Sequence, residues 1–258
     1  MKSQSRYLHK ESFFIILIFV IANYGRAFIT KLTEFSIENI DELWQRLFYV
    51  YSWEIGIVLI VCSIWFGKKL TNELGLNKGF LKGFGIAFLC TLPMVIGYFL
   101  IGNFIPQNFT FSKLLSSSVL PAFSEELLFR AFLFGLLFRR LEWGFIPAAF
   151  ASAFIFGFGH LWQGNNFLDT LGVMVVTSMG GLWFAWLFAE WNYNLWLVIF
   201  LHLLMNWYWG IFEITNNNAL GGIDSNIFRF ITIIVSIIWT IRIAKKRNHF
   251  EVNKKRLF

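Results

Sequence analysis

The sequence predicts an all-α protein, a polytopic membrane helical bundle of about eight transmembrane helices. The first observation is composition. Of 258 residues, 57% are hydrophobic and 14% charged, whereas soluble domains run near ~45–50% apolar and ~25% charged. The second is aromatic content, with 33 Phe and 12 Trp, a composition suited to lipid contact and to anchoring at the membrane interface. The third is spacing. Apolar stretches of roughly the ~20 residues that a spanning helix needs recur along the whole chain. Backbone groups in hydrocarbon must pair within their own segment, so these stretches are helices.

Eight stretches meet the criterion, at about 12–30, 47–66, 80–101, 114–138, 145–161, 168–189, 194–212 and 227–243. The first is too long for the apolar region of a signal peptide and lacks a small-residue cleavage site, so it is expected to remain as a span. The second and third carry Cys62 and Cys90, which read as small core residues without a redox or metal-cluster pattern. Between them, Leu74-Gly75-Leu76 marks a turn, and Gly79, Gly83 and Gly85 a small-residue face. The fourth contains Glu125, Glu126 and Arg130 near its middle. The fifth is the shortest and ends close to His160. The sixth has Gly180 and Gly181, which allow close helix approach. The seventh carries His202 and Asn206, and the eighth leads into a basic tail. No repeat or soluble linker divides the chain, so residues 1–258 are expected to form a single integral membrane domain, with the motif-bearing core at about 114–212.

Charge supplies the orientation. Sixteen of the 22 Lys and Arg fall at the N-terminus, the 67–82 connection, Arg139 and Arg140, and the tail from Arg242 to Arg256. Five (Arg26, Lys31, Arg46, Lys113 and Arg229) fall on the opposite side, and Arg130 lies within a span. The positive-inside rule then puts both termini in the cytoplasm. The acidic connection holding Glu34, Glu38, Asp41 and Glu42 is outside, as is the polar 213–226 loop with Asn216, Asn217 and Asn218. The basic tail reads as a topology signal or a contact with anionic membrane lipids. No nucleic-acid partner is expected from a net charge of +7 distributed in this way.

Ionised groups in a span cost at least ~3 kcal/mol each and must be paired or functional. Arg130 follows Glu126 by four residues, the favourable acid-before-base order for an ion pair. Glu125 points ~100° away on a regular helix, and is left to face a cavity, where a carboxylate suits general-base chemistry on water. Phe156 and His160 share a helical face, as do His202 and Asn206. An Asn amide with a His can hold a developing oxyanion. Alternatively, Glu125, His160 and His202 form a two-imidazole, one-carboxylate set able to hold catalytic zinc. His9 and His249, in polar tails, read as solvated residues. Glu54 reads as reaching the outer interface, and Asp169, Glu190 and Glu213 as seeing water near span ends. By residue counting, Glu125 and His202 lie near mid-membrane and His160 closer to the outer end of its span. Tilt, a re-entrant bend at Gly157 and Gly159, or span ends placed a few residues off would bring them level.

Taken in order, Glu-Glu-x-x-x-Arg at 125–130, Phe-x-x-x-His at 156–160 and His-x-x-x-Asn at 202–206 resemble the CAAX protease and bacteriocin-processing family, also called the CPBP or Abi family. The resemblance covers about 114–212. It implies an intramembrane endopeptidase, named with the metalloproteases, acting on a membrane-associated or prenylated protein or peptide, in the bacterial cell membrane. Carried onto this chain, its essential residues are Glu125, His160, His202 and Asn206, with Glu126 and Arg130 completing the first motif. Two mechanisms remain open: a zinc ion held by Glu125, His160 and His202, or a metal-free route in which Glu and His activate water and His and Asn hold the oxyanion. The rivals are a non-catalytic immunity or scaffold protein retaining the motif, and a proton-coupled transporter. A transporter should show broken helices in two repeated halves, which the sequence lacks.

Overall fold

A computed structural model describes residues 2–32, 43–214 and 219–258. The acidic residues Glu34, Glu38, Asp41 and Glu42, and Asn216 to Asn218, lie outside the described residues. The eight expected spans appear as helices α1 (Lys2–Leu32), α2 (Leu43–Phe66), α3 (Phe80–Ile101), α4 (111–140), α5 (Phe145–Phe158), α6 (Phe167–Glu190), α7 (Leu195–Ile211) and α8 (Ile223–Lys246). Six of them are long and apolar enough to cross a membrane; α7 is apolar but shorter, and α4 carries the central charges. Phe28, Phe48, Ile64, Leu81, Phe99 and Phe150 are exposed, as expected of an integral membrane protein whose helices turn apolar faces to lipid. Between helices the small polar residues are buried. Trp183 Nε1 donates to Ser236 Oγ at 3.1 Å, and Trp191 Nε1 to Thr240 Oγ1 at 2.8 Å, both polar links between helices of the kind that replace hydrophobic driving force in lipid.

Helix α4 is the central post. It packs against α1, α2, α5, α6 and α7, and every residue from Glu126 to Phe138 is buried. Much of it is wound as π-helix, with five-residue steps such as Gly135 N–H to the Arg130 carbonyl and Leu120 N–H to the Leu115 carbonyl. Pro121 follows the first widened stretch, where a residue without an N–H interrupts the ladder. Widened turns of this kind concentrate at functional positions.

Two devices fix the ends of the bundle. On one side a two-residue antiparallel ribbon, β1 (Asn103–Phe104) with β2 (Phe212–Glu213), pairs Asn103 with Glu213 and Phe104 with Phe212. It clamps the end of α3 to the end of α7, helped by Asn108 Nδ2 donating to the Gly210 carbonyl at 2.8 Å. On the other side Gly75, at φ +73°, lies against the Tyr193 carbonyl where no side chain would fit. Trp196 Nε1 then reaches the Leu76 carbonyl at 2.8 Å. The tail after α8 folds back over this end. Glu190 is not in water, as the sequence suggested, but 1% exposed. Its carboxylate accepts the backbone N–H groups of Glu251 and Val252 at 3.3 and 3.0 Å. Beside it, burial and then the Glu251 carboxylate push the Tyr193 phenol up to about 12, so Tyr193 stays a donor to Glu251 (3.1 Å) at physiological pH.

Gly83 brings α3 against the start of α7: a Cβ there would lie 2.8 Å from the Leu197 nitrogen. Backbone cannot yield as a side chain can, so overpacking here is expected to cost ~1–3 kcal/mol. Gly83→Val should lower the melting temperature in detergent, whereas Gly85→Val, with open space around its Cβ, should melt near wild type.

Candidate active site

The site begins with an ion pair inside α4. Arg130 Nε lies 3.1 Å from Glu126 Oε2, both side chains at most 1% exposed. The angles fall short of a hydrogen bond, so the attraction is that of opposed charges in a dry interior. The remaining guanidinium nitrogens reach no acceptor. They lie among aromatic faces, with the Arg130 Cζ 4.4 Å from the Phe156 centroid and 5.3 Å from that of Phe184. Cation–π attraction of this kind reaches ~2 kcal/mol when desolvated.

The other oxygen of Glu126 extends the chain to α7. His202 Nδ1–H donates to Glu126 Oε1 at 2.8 Å, which orients the ring and leaves Nε2 on the side of Glu125. Nε2 stands 3.9 Å from Glu125 Oε2. That is too long for a hydrogen bond, but one water beside both groups could bond to each. Glu125, with 29% of its side chain exposed, is the accessible carboxylate, and Glu126 the sealed one. The two adjacent acids therefore bracket a single imidazole, an arrangement that sequence spacing did not reveal. Sequence reasoning gave Glu126 only Arg130 as a partner; its grip on His202 crosses helices and leaves no local signal.

His160 is placed by α5. The helix ends at Phe158, short of the predicted 161, and His160 follows in the turn before the 3₁₀ segment Leu161–Gln163. Its Nδ1–H donates to the Phe156 carbonyl at 2.7 Å, again leaving Nε2 free, and its ring lies 4.5 Å from that of Phe156. The hairpin of α4 and α5 brings their motifs to the same end of the contact between them. Phe129 and Phe156 touch, with centroids 5.0 Å apart. Glu125 lies four residues before Phe129 and His160 four after Phe156. In two antiparallel helices both therefore stand about one turn beyond that contact, at similar height. No direct interaction joins His160 to Glu125 or His202 among the described residues; Phe156 and Arg130 connect them. Asn206 sits half-buried one turn after His202, its amide without a hydrogen-bond partner among the described residues.

Glu54 departs from the sequence expectation. It does not simply reach the interface. Its Oε2 accepts the hydroxyl of Ser124, the residue before Glu125, at 2.6 Å. No periodicity could have found it, because the partners lie 70 residues apart.

Both histidines have Nδ1 engaged by a protein oxygen and Nε2 left available, the orientation that suits a metal ligand. Nevertheless, no three His, Cys, Asp or Glu side chains are grouped to hold one metal ion among the described residues. The arrangement does not fit the three-ligand zinc set.

Removing one partner of a buried ion pair costs ~3–5 kcal/mol. Arg130→Ala should therefore lower the melting temperature in detergent well below that of Glu125→Ala, whose side chain is partly exposed; equal melting of the two would remove the pair from its supporting role.

Comparison with known proteins agrees with the motifs. Residues 106–208, which include all three, match the family model described as type II CAAX prenyl endopeptidase Rce1-like. A curated Bacillus subtilis (strain 168) protein named "Putative membrane peptidase YdiL" is 34% identical over 90 residues, 35% of this chain and 32% of that protein. The match thus spans about a third of that relative's length. No solved structure matches the chain. The chain is thus similar, over less than half of its length, to a CAAX prenyl endopeptidase-like family and to a membrane peptidase.

Proposed function

We propose that this chain is an intramembrane endopeptidase that hydrolyses a peptide bond in a membrane-associated or lipid-modified substrate. The observation that carries the reading is the His202 imidazole held between Glu126 and Glu125 at mid-helix in a membrane bundle. An ordinary structural histidine needs one partner, not two carboxylates and an arginine behind them. The matched peptidase family gives the same direction.

In the mechanism that fits this geometry, a water lies between Glu125 and His202 Nε2. Glu125 takes a proton from the water as its oxygen bonds to the scissile carbonyl carbon. The carbonyl oxygen becomes an oxyanion, met by the Asn206 amide, one turn along α7, and by His202 in its protonated form. His160, level with Glu125, holds the water or the substrate carbonyl through Nε2. When the tetrahedral species collapses, the C–N bond breaks, and the proton on Glu125 passes to the departing amine. Glu126 and Arg130 take no proton; they fix the tautomer and angle of His202 throughout.

The reading is tested by mass spectrometry of membrane peptides from cells expressing wild type or Glu125→Gln, followed by assay of the purified proteins on the peptides that differ. Loss of a general base costs roughly 10²–10⁴-fold, so Glu125→Gln should abolish cleavage while folding normally. Identical peptide patterns from the two would favour a partner-binding role for this geometry. Zinc is the cofactor that the resemblance implies, and the spacing here argues for water activation by side chains. Chelator treatment should therefore leave cleavage within about twofold; loss restored by zinc would instead assign Glu125, His160 and His202 as ligands.

A further inference from the structure

Helical hydroxyls ordinarily turn back to the carbonyl four residues earlier. Thr91, Ser117, Thr177 and Thr240 do so here, at 2.6–3.0 Å. Ser124 does not. Its hydroxyl, in a side chain 1% exposed, crosses to α2 and donates to Glu54 Oε2 at 2.6 Å. The acceptor is a carboxylate within a membrane span, a costly choice where an amide or a backbone carbonyl could accept the same proton. It is also placed beside the site. Glu54 feels the charges of Glu125 and of Arg26 of α1, and Tyr51 of α2 feels all three.

We propose that Glu54 is a positioning residue for Glu125. Through Ser124 it ties the turn of α4 that carries Glu125 to the neighbouring α2, so that the accessible carboxylate cannot swing away from His202. Glu126 needs no such tether, since Arg130 and His202 already hold it from both sides. Glu125 Oε2 has no hydrogen bond of its own, and its position depends on the backbone beneath it. The proposal rests on Glu125 as the water-activating group.

The experiment is a double-mutant cycle in the full-length chain in detergent, using the peptides that define wild-type cleavage. Glu54→Ala and Ser124→Ala should each lower kcat by roughly 10–100-fold, the scale of a small misplacement of a reacting group. KM should stay within about twofold, with a melting temperature near wild type. The double variant should fall no further than either single one, because both remove one interaction. Glu54→Gln, which keeps the acceptor, should recover most of the rate. Should Glu54→Ala fail to fold, Glu54→Asp, with a shorter reach, carries the same expectation. Wild-type kcat in Glu54→Ala, or losses that multiply in the double variant, overturns the proposal. If wild type cleaves nothing that Glu125→Gln leaves intact, the proteolysis reading falls by itself. The tether is then read from carbodiimide labelling of Glu125, quantified on the modified peptide. Faster labelling in both Ala variants supports it, and wild-type labelling in both overturns it.

Discussion

The Arg130–Glu126 pair is the interaction from which the rest of the site is built. Neither charge can exist at that depth alone, so each fixes the other, and together they organise three helices. Glu126 uses its second oxygen to orient His202 on α7. Arg130 uses its flat faces to hold Phe156 of α5 and Phe184 of α6, and Phe156 carries both the ring and the carbonyl against which His160 is set. One ion pair thus reaches both histidines, one by hydrogen bond and one by packing. An error in its geometry would be felt by each of them.

Around that pair the bundle divides labour between sealed and accessible groups. The acid at 126 is enclosed and spends both oxygens on protein partners. The acid at 125 keeps an oxygen uncommitted and a partly open side chain. Adjacent residues on a helix face different surroundings, and the widened winding of α4 lets both reach the same imidazole from different sides. Chemistry that needs a free carboxylate and a fixed one is met by two neighbours in sequence, without recruiting a second helix for the second acid.

What the sequence made legible follows from distance along the chain. The Glu126–Arg130 contact is a four-residue relation within one helix, so spacing alone exposes it. The eight spans are compositional and equally plain. The depth of His160 was harder. Counting residues from a presumed membrane edge treats His160 as part of a continuous helix, whereas α5 stops at Phe158 and His160 follows in a turn. Glu54 was read as reaching the outer interface and Glu190 as seeing water, because of their places along their spans. One is turned inward by Ser124 and the other is covered by a tail that folds back on it. Both depend on contacts more than 60 residues apart, which hydropathy cannot see. Asn206 lies on the same helical face as His202, and its amide has no hydrogen-bond partner among the described residues to reveal its role.

The burial of α4 also bears on how the chain enters the bilayer. Three ionisable residues at the middle of a segment cost roughly 2.5–3.5 kcal/mol each on the insertion scale, against a gain of only ~0.3–0.6 kcal/mol for each Leu or Phe. Read as a lone segment during synthesis, α4 is therefore a poor candidate to partition into lipid unaided. The neighbours that seal it, α1 and α2, are made first; α5, α6 and α7 follow it. The charges that equip the site thus make biogenesis a collective event, in which the central helix becomes comfortable in the membrane only as its wall is completed.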